Sequence, residues 1–108
     1  MTVLPNLRHR HDRKRHTLVT YPNTFREYIE ARGVGRNDVV ASSPDKYAQV
    51  LNTVSDLLQV NISPVTLRAE SDVQRLCQQL TQHRSESTIG DYRSVLRQYV
   101  SMVRDYNL

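Results

Sequence analysis

Wherever apolar residues are dense in this chain, they fall on helical spacing. Ile89, Tyr92, Leu96, Tyr99, Val103 and Tyr106 step by 3, 4, 3, 4 and 3, a period that lines one face of a helix. The spacing predicts a last helix from Ser87 or Thr88 to about Asp105. Tyr47, Val50, Leu51, Val54, Leu57 and Leu58 keep one face apolar behind Ser43-Pro44. There Ser can cap, and Pro at the first position has no donor to lose; this helix is expected to end near Val60-Asn61. Phe25, Tyr28 and Ile29 share a face behind Thr24-Phe25-Arg26-Glu27, a capping-box pattern. That predicts a helix over 24–32, stopped by Gly33, with Val34 packing back. Val73, Leu76, Cys77 and Leu80 follow Ser71-Asp72-Val73-Gln74, a second capping box, and form the remaining stripe.

Between these stripes the text is punctuation. Ser63-Pro64 opens a single helical turn through Leu67, expected to give Ile62, Val65 and Leu67 to the core, and His83 to Ser87 is a polar turn. Residues 33–43 read as a link. Thr17 to Pro22 is β-prone, but one strand makes no sheet, so it is expected to lie extended on the body. No alternation of comparable length supports strands. The fold class expected is all-α: a compact bundle of four main helices plus a short helical turn. Residues 1–23 form a basic, flexible or extended arm and residues 24–108 the helical domain. Ser43-Pro44-Asp45-Lys46-Tyr47 echoes Thr88-Ile89-Gly90-Asp91-Tyr92, a similarity that shared capping rules produce without duplication.

Composition bounds what such a bundle can do. At 108 residues there is room for one small core. Mean hydropathy is −0.60, no apolar run approaches the roughly 20 residues a membrane span needs, and no apolar stretch follows the N-terminal charges as in a secretion signal. Cys77 stands alone, which excludes an internal disulfide and fits a reducing, cytoplasmic setting. On its apolar stripe it reads as a buried structural thiol.

Charge divides the chain in two. Of the net +4, residues 1–16 carry all: Arg8, Arg10, Arg13, Lys14 and Arg15 against Asp12. The remaining 92 residues hold ten cations and ten acids. Five clustered cations suit the displacement of counterions from phosphates, and equally a solvated leader that only aids solubility. His9, His11 and His16 lack the preformed geometry of a metal site, so no metal or other cofactor is expected. On the last helix, Arg93, Arg97 and Arg104 fall in one stripe about 110° around from the apolar centre, with Asp91 and Asp105 on another side. Such a stripe can lie along a phosphate ridge while the other face holds the core; it can also be an amphipathic flank whose Arg stems cover the core edge. Paired carboxylates at catalytic spacing, a Gly-rich phosphate loop and a nucleophile beside a base are all missing, so no enzyme is expected.

The stretch Thr88-Ile89-Gly90-Asp91-Tyr92-Arg93-Ser94-Val95-Leu96-Arg97-Gln98-Tyr99-Val100 resembles the last helix of the core-binding, SAM-like domain that precedes the catalytic domain of tyrosine recombinases and phage integrases. Phe25-Arg26-Glu27-Tyr28-Ile29 as an opening helix and Ser43 to Leu58 extend the resemblance over about residues 24 to 106. A similar helical module occurs at the front of some HNH and related restriction endonucleases. The resemblance implies a DNA clamp working through backbone contacts, with Arg93 and Arg97 at the matching positions and Arg84, Ser85 and Ser87 as supporting phosphate contacts. The recombinase's nucleophilic Tyr and its Arg/His/Lys cluster have no counterpart in this chain.

Two functions are therefore expected in competition. One is a non-catalytic module binding double-stranded DNA through the arm and the Arg stripe. The other is a small phage or plasmid interaction module, such as an inhibitor of a bacterial defence complex (CRISPR or restriction), which would turn the same surfaces to an acidic protein or a nucleoprotein complex. Neither involves a membrane. The exposed halves of the Tyr stripe leave a homodimer open.

Overall fold

Each helix starts where a proline, a side-chain oxygen or both dispose of the free N–H groups of its first turn. The structure is a computed structural model that describes residues 18–32 and 43–108. Gly33, Val34, most of the expected link and the arm through Thr17 lie outside the described residues. Helix α1 spans Pro22–Arg32, α2 Pro44–Leu58, α3 Glu70–Leu80 and α4 Glu86–Asp105. The described residues contain no strand, only one isolated parallel bridge between Val19 and Ile62. The all-α bundle of four helices is as expected from the stripes.

Helix α1 opens two residues ahead of the expected start. Phe25 N donates to the Tyr21 carbonyl at 2.9 Å, so Pro22 takes the first helical position. Thr24 falls inside the helix and caps nothing. Tyr21 stands at φ 63°, a left-handed conformation costing roughly 1–3 kcal/mol for a non-glycine residue. Its neighbour Thr20 is held on both sides: its N–H donates to Ile62 O at 2.8 Å, and its carbonyl accepts from Tyr99 Oη at 2.8 Å. Ile62 N also donates to Leu18 O, and Leu18 N to Asn61 Oδ1. These bonds bring residues 18–23, expected in the arm, into the body.

Ser43 caps α2 as expected, accepting from Lys46 N at 3.3 Å with Pro44 behind it. The helix ends at Leu58, short of the expected Val60-Asn61. Ser55, buried among apolar residues, donates its hydroxyl to Val60 O at 2.6 Å, and Gln59 turns left-handed at φ 54°. In the following turn, Ser63 Oγ accepts from Val65 N and Thr66 N, and Leu67 N donates to Ser63 O. Ile62 and Leu67 are fully buried, but Val65 is 84% exposed. The expectation that Val65 joins the core is thus corrected: a single turn can face only one side inward, and the Ser63 cap points that side along Ile62 and Leu67.

Helix α3 starts at Glu70, ahead of the expected Ser71 box. Its closing acceptor is Asp72, whose Oδ2 takes the backbone N–H groups of Arg68 and Ala69 at 2.9 and 3.1 Å. Ser85 caps α4 by accepting from Thr88 N at 3.3 Å, so that helix begins at Glu86.

Helix α4 packs against each of the other three. That explains why its buried set is wider than the single stripe seen in the sequence. Val95 and Met102 join Ile89, Leu96, Tyr99 and Val103 inside, while Tyr92 is half-buried and Tyr106 sits exposed past the helix end. Phe25 and Tyr99 tilt together at 5.7 Å between ring centroids. Tyr28 donates to Asp105 Oδ2 at 2.7 Å and meets Tyr106 edge-on at 5.3 Å, fastening α1 to the end of α4. No helix among the described residues is long and apolar enough to cross a membrane.

Candidate nucleic-acid interface

Helices α3 and α4 are joined by a short polar turn and lie side by side, and their seam is where the cations gather. Three of the predicted side chains, Arg93, Arg97 and Arg104, follow the flank of α4 that faces α3. A helix rises 1.5 Å per residue, so they stand about 6 and 10.5 Å apart along the axis. Two depressions interrupt the seam. The larger, about 440 Å³, lies between the start of α3 and the second half of α4; Arg68, Glu70, Arg97 and Arg104 surround it over a floor that includes Val100 and Ser101. The smaller, about 180 Å³, holds Arg93 with Cys77, Gln78 and Glu86.

Arg97 is not free in the groove. Its Nη2 reaches Glu70 Oε2 at 2.7 Å and its Nε sits 3.1 and 3.2 Å from the two carboxylate oxygens. Gln74 Nε2 holds the same carboxylate from the other side at 2.6 Å. These bonds keep Glu70 below the usual carboxylate range, the Arg97 contact contributing most, and push Arg97 further up. Both side chains are about half exposed, at 51% and 53%, and an exposed pair adds little to stability. Arg97 can therefore change partner at small cost. Arg104 is 72% exposed, with Asp105 at 3.4 Å from its Nε. Arg68 is exposed and its guanidinium donates to Pro64 O at 3.3 Å.

Other expected contacts fall elsewhere. Arg84, Ser85 and Ser87 lie at the opposite end of the seam, about 15–20 Å of helix from Arg97 by the rise of an α-helix. Arg84 donates to the neighbouring His83 O at 2.9 Å, and the Ser85 hydroxyl is engaged with Thr88 as the helix cap. Only Ser87 there has an exposed position without an assigned structural task. Arg8, Arg10, Arg13, Lys14 and Arg15 lie outside the described residues, as do His9, His11 and His16.

Nothing in the local sequence marks Arg68 and Glu70 as site residues. Their signal is tertiary: Asp72 gathers the backbone of Arg68 and Ala69 into the start of α3, and that start lands opposite Arg97. Cys77 is buried at the base of the smaller depression; burial pushes its thiol up, with Arg93 and Arg97 pulling the other way. A thiol held protonated is a poor nucleophile. Among the described residues no group of three or more His, Cys, Asp or Glu is placed to hold a metal ion.

Asp72 couples this site to acid stability. Burial pushes its carboxyl up, but the Arg75 guanidinium at 2.7 Å and the N–H groups of Arg68 and Ala69 outweigh burial and hold it below the usual range. A carboxyl depressed in the folded state stabilises above its unfolded value, about 3.9 for Asp, and that contribution is lost as pH falls through the folded value. The urea midpoint is expected to fall between pH 5 and pH 3 (about one unit to either side of that reference), and to fall less steeply in Asp72→Asn. Equal acid sensitivity of the two proteins would remove Asp72 as the cause.

No protein-family model, no curated protein and no solved structure matches this chain, so the assignment of the seam rests on its own geometry and chemistry.

Proposed function

We propose that this protein is a non-catalytic module that binds double-stranded DNA, gripping the phosphate backbone with its basic N-terminal arm and the Arg-lined seam of α3 and α4. The observation that carries the reading is the meeting of Arg68, from outside α4, with Arg97 and Arg104 around one concave surface. Leu18, the first described residue after the arm, is bonded to Asn61 and Ile62 in the segment that leads into Arg68. Guanidinium forks match phosphate oxygens better than ammonium groups do, and contacts of this kind position a protein on DNA without choosing sequence. A four-helix bundle is also in keeping with the resemblance to core-binding domains carried by residues 88–100.

The test is a salt titration of binding to a labelled duplex. With five to eight cations on phosphates, log K is expected to fall against log salt concentration with a slope of about −4.5 to −7. Arg104→Gln and Arg68→Gln should each flatten the slope by about 0.9 and weaken duplexes of different sequence equally. A wild-type slope near zero would sink the proposal.

One observation favours a second reading, the protein-interaction module. The chain beyond residue 16 is neutral, with ten cations and ten acids, and several of its Arg residues are already paired: Arg26 with Asp45, Arg75 with Asp72 and Arg97 with Glu70. Neutral mixed-charge surfaces suit a protein partner better than a polyanion. Loss of partner capture on replacing Arg93 and Arg97, with DNA affinity unchanged, would select this reading.

A further inference from the structure

We infer that Glu70 occupies the place of a phosphate on Arg97, so that this carboxylate sets the affinity and the salt dependence of the DNA site. The inference rests on the DNA-binding reading and adds a competitor built into the site itself. Three features point to it. The contact has the two-pronged form, Nε and Nη2 on one carboxylate, that a phosphate would also adopt. Glu70 lines the groove together with Arg68, Arg97 and Arg104, and it neutralises one of those three cations, Arg97. Gln74 holds the carboxylate in position, so the pair is preformed at the site and does not depend on a chance rotamer of one long side chain.

A phosphate that enters must displace Glu70 or share Arg97 with it, and in either case it meets a negative charge at hydrogen-bonding range of its own position. The pair is exposed enough to open, which makes Glu70 a brake on binding and not a block. The brake has a physical use. It weakens contact with any single stretch of backbone, so that retention depends on several cations engaging together.

The experiment compares wild type, Glu70→Gln, Glu70→Ser and Asp91→Asn on one short fluorescein-labelled duplex across a salt series, with melting temperatures recorded for each. Asp91 is on α4 but does not line the groove, so its replacement makes the same change in net charge away from the site. Glu70→Gln and Glu70→Ser are expected to bind about 3–10-fold tighter at low salt, with a slope steeper by about 0.9, the value of one further cation. Asp91→Asn should change affinity less than about twofold, and Arg97→Gln added to Glu70→Gln should abolish the gain. Wild-type affinity in both Glu70 variants, or an equal gain in Asp91→Asn, overturns the inference and leaves DNA binding standing. Absence of salt-dependent binding in the wild type overturns the DNA reading and this inference together.

Discussion

Deleting residues 1–16 is expected to flatten the salt dependence of duplex binding by about 4.5 in log–log slope and to weaken binding at low salt by at least about a hundredfold. The figure follows from five cations, Arg8, Arg10, Arg13, Lys14 and Arg15, each releasing about 0.9 counterion from B-DNA. What remains is the seam, whose Arg68, Arg97 and Arg104 surround one groove and support a slope of about −2.7 at most. The fold should not suffer. The deletion stops before Leu18, the first described residue, whose N–H is bonded to Asn61, so the melting temperature serves as a control. Fluorescence anisotropy on full and shortened chains measures both slopes. If the two coincide, the arm does not touch phosphate, and the neutral body would have to account for all binding.

The second large effect concerns the fold itself. Tyr99→Ala is expected to destabilise the bundle by about 3–5 kcal/mol, the usual range for removing a buried aromatic ring. Tyr99 is fully buried, lies against Phe25 and donates its hydroxyl to Thr20 O. It thereby fixes both the extended entry segment and α1 to the central helix. Burial also drives its hydroxyl far above its ordinary pKa, so the side chain is neutral at every pH of interest. Domains of this size are stable by only about 5–15 kcal/mol, and each kcal/mol moves Tm by roughly 4–8 °C, so the melting temperature should drop by more than about 12 °C. Tyr99→Phe keeps the ring and loses only the hydroxyl, leaving the Thr20 carbonyl short of a partner, and should cost about 1–2 kcal/mol. A drop of less than about 5 °C for the alanine variant would show that the α1–α4 contact is not a principal support of the fold.

The helices were legible because each rests on local chemistry. Ser43-Pro44 carries its own cap and first turn, and Phe25, Tyr28 and Ile29 need only helical spacing to share a face. Where the structure departs from a local pattern, that pattern has a competitor. Thr24 and Glu27 make a sound capping box on paper, but Pro22 begins the helix before it. Ser71 is a good cap residue, but Asp72 captures the two N–H groups ahead of it. Val65 has the side chain of a core residue and faces solvent because Ile62 and Leu67 already fill the inner side of its turn.

The candidate site divides along the same line. Sequence determined the amphipathic stripes, the Ser43-Pro44 cap, the concentration of positive charge before residue 17 and the alignment of Arg93, Arg97 and Arg104, since all depend on neighbours within a few positions along one helix or one tail. Only tertiary structure decided that Glu70 pairs with Arg97, that Arg68 lines the same groove, and that Arg93 belongs to a separate depression. Those outcomes depend on how α3 is set against α4, across 27 residues between Glu70 and Arg97. Periodicity gives the direction of a side chain around its own axis; what it meets there is fixed by the packing of another element.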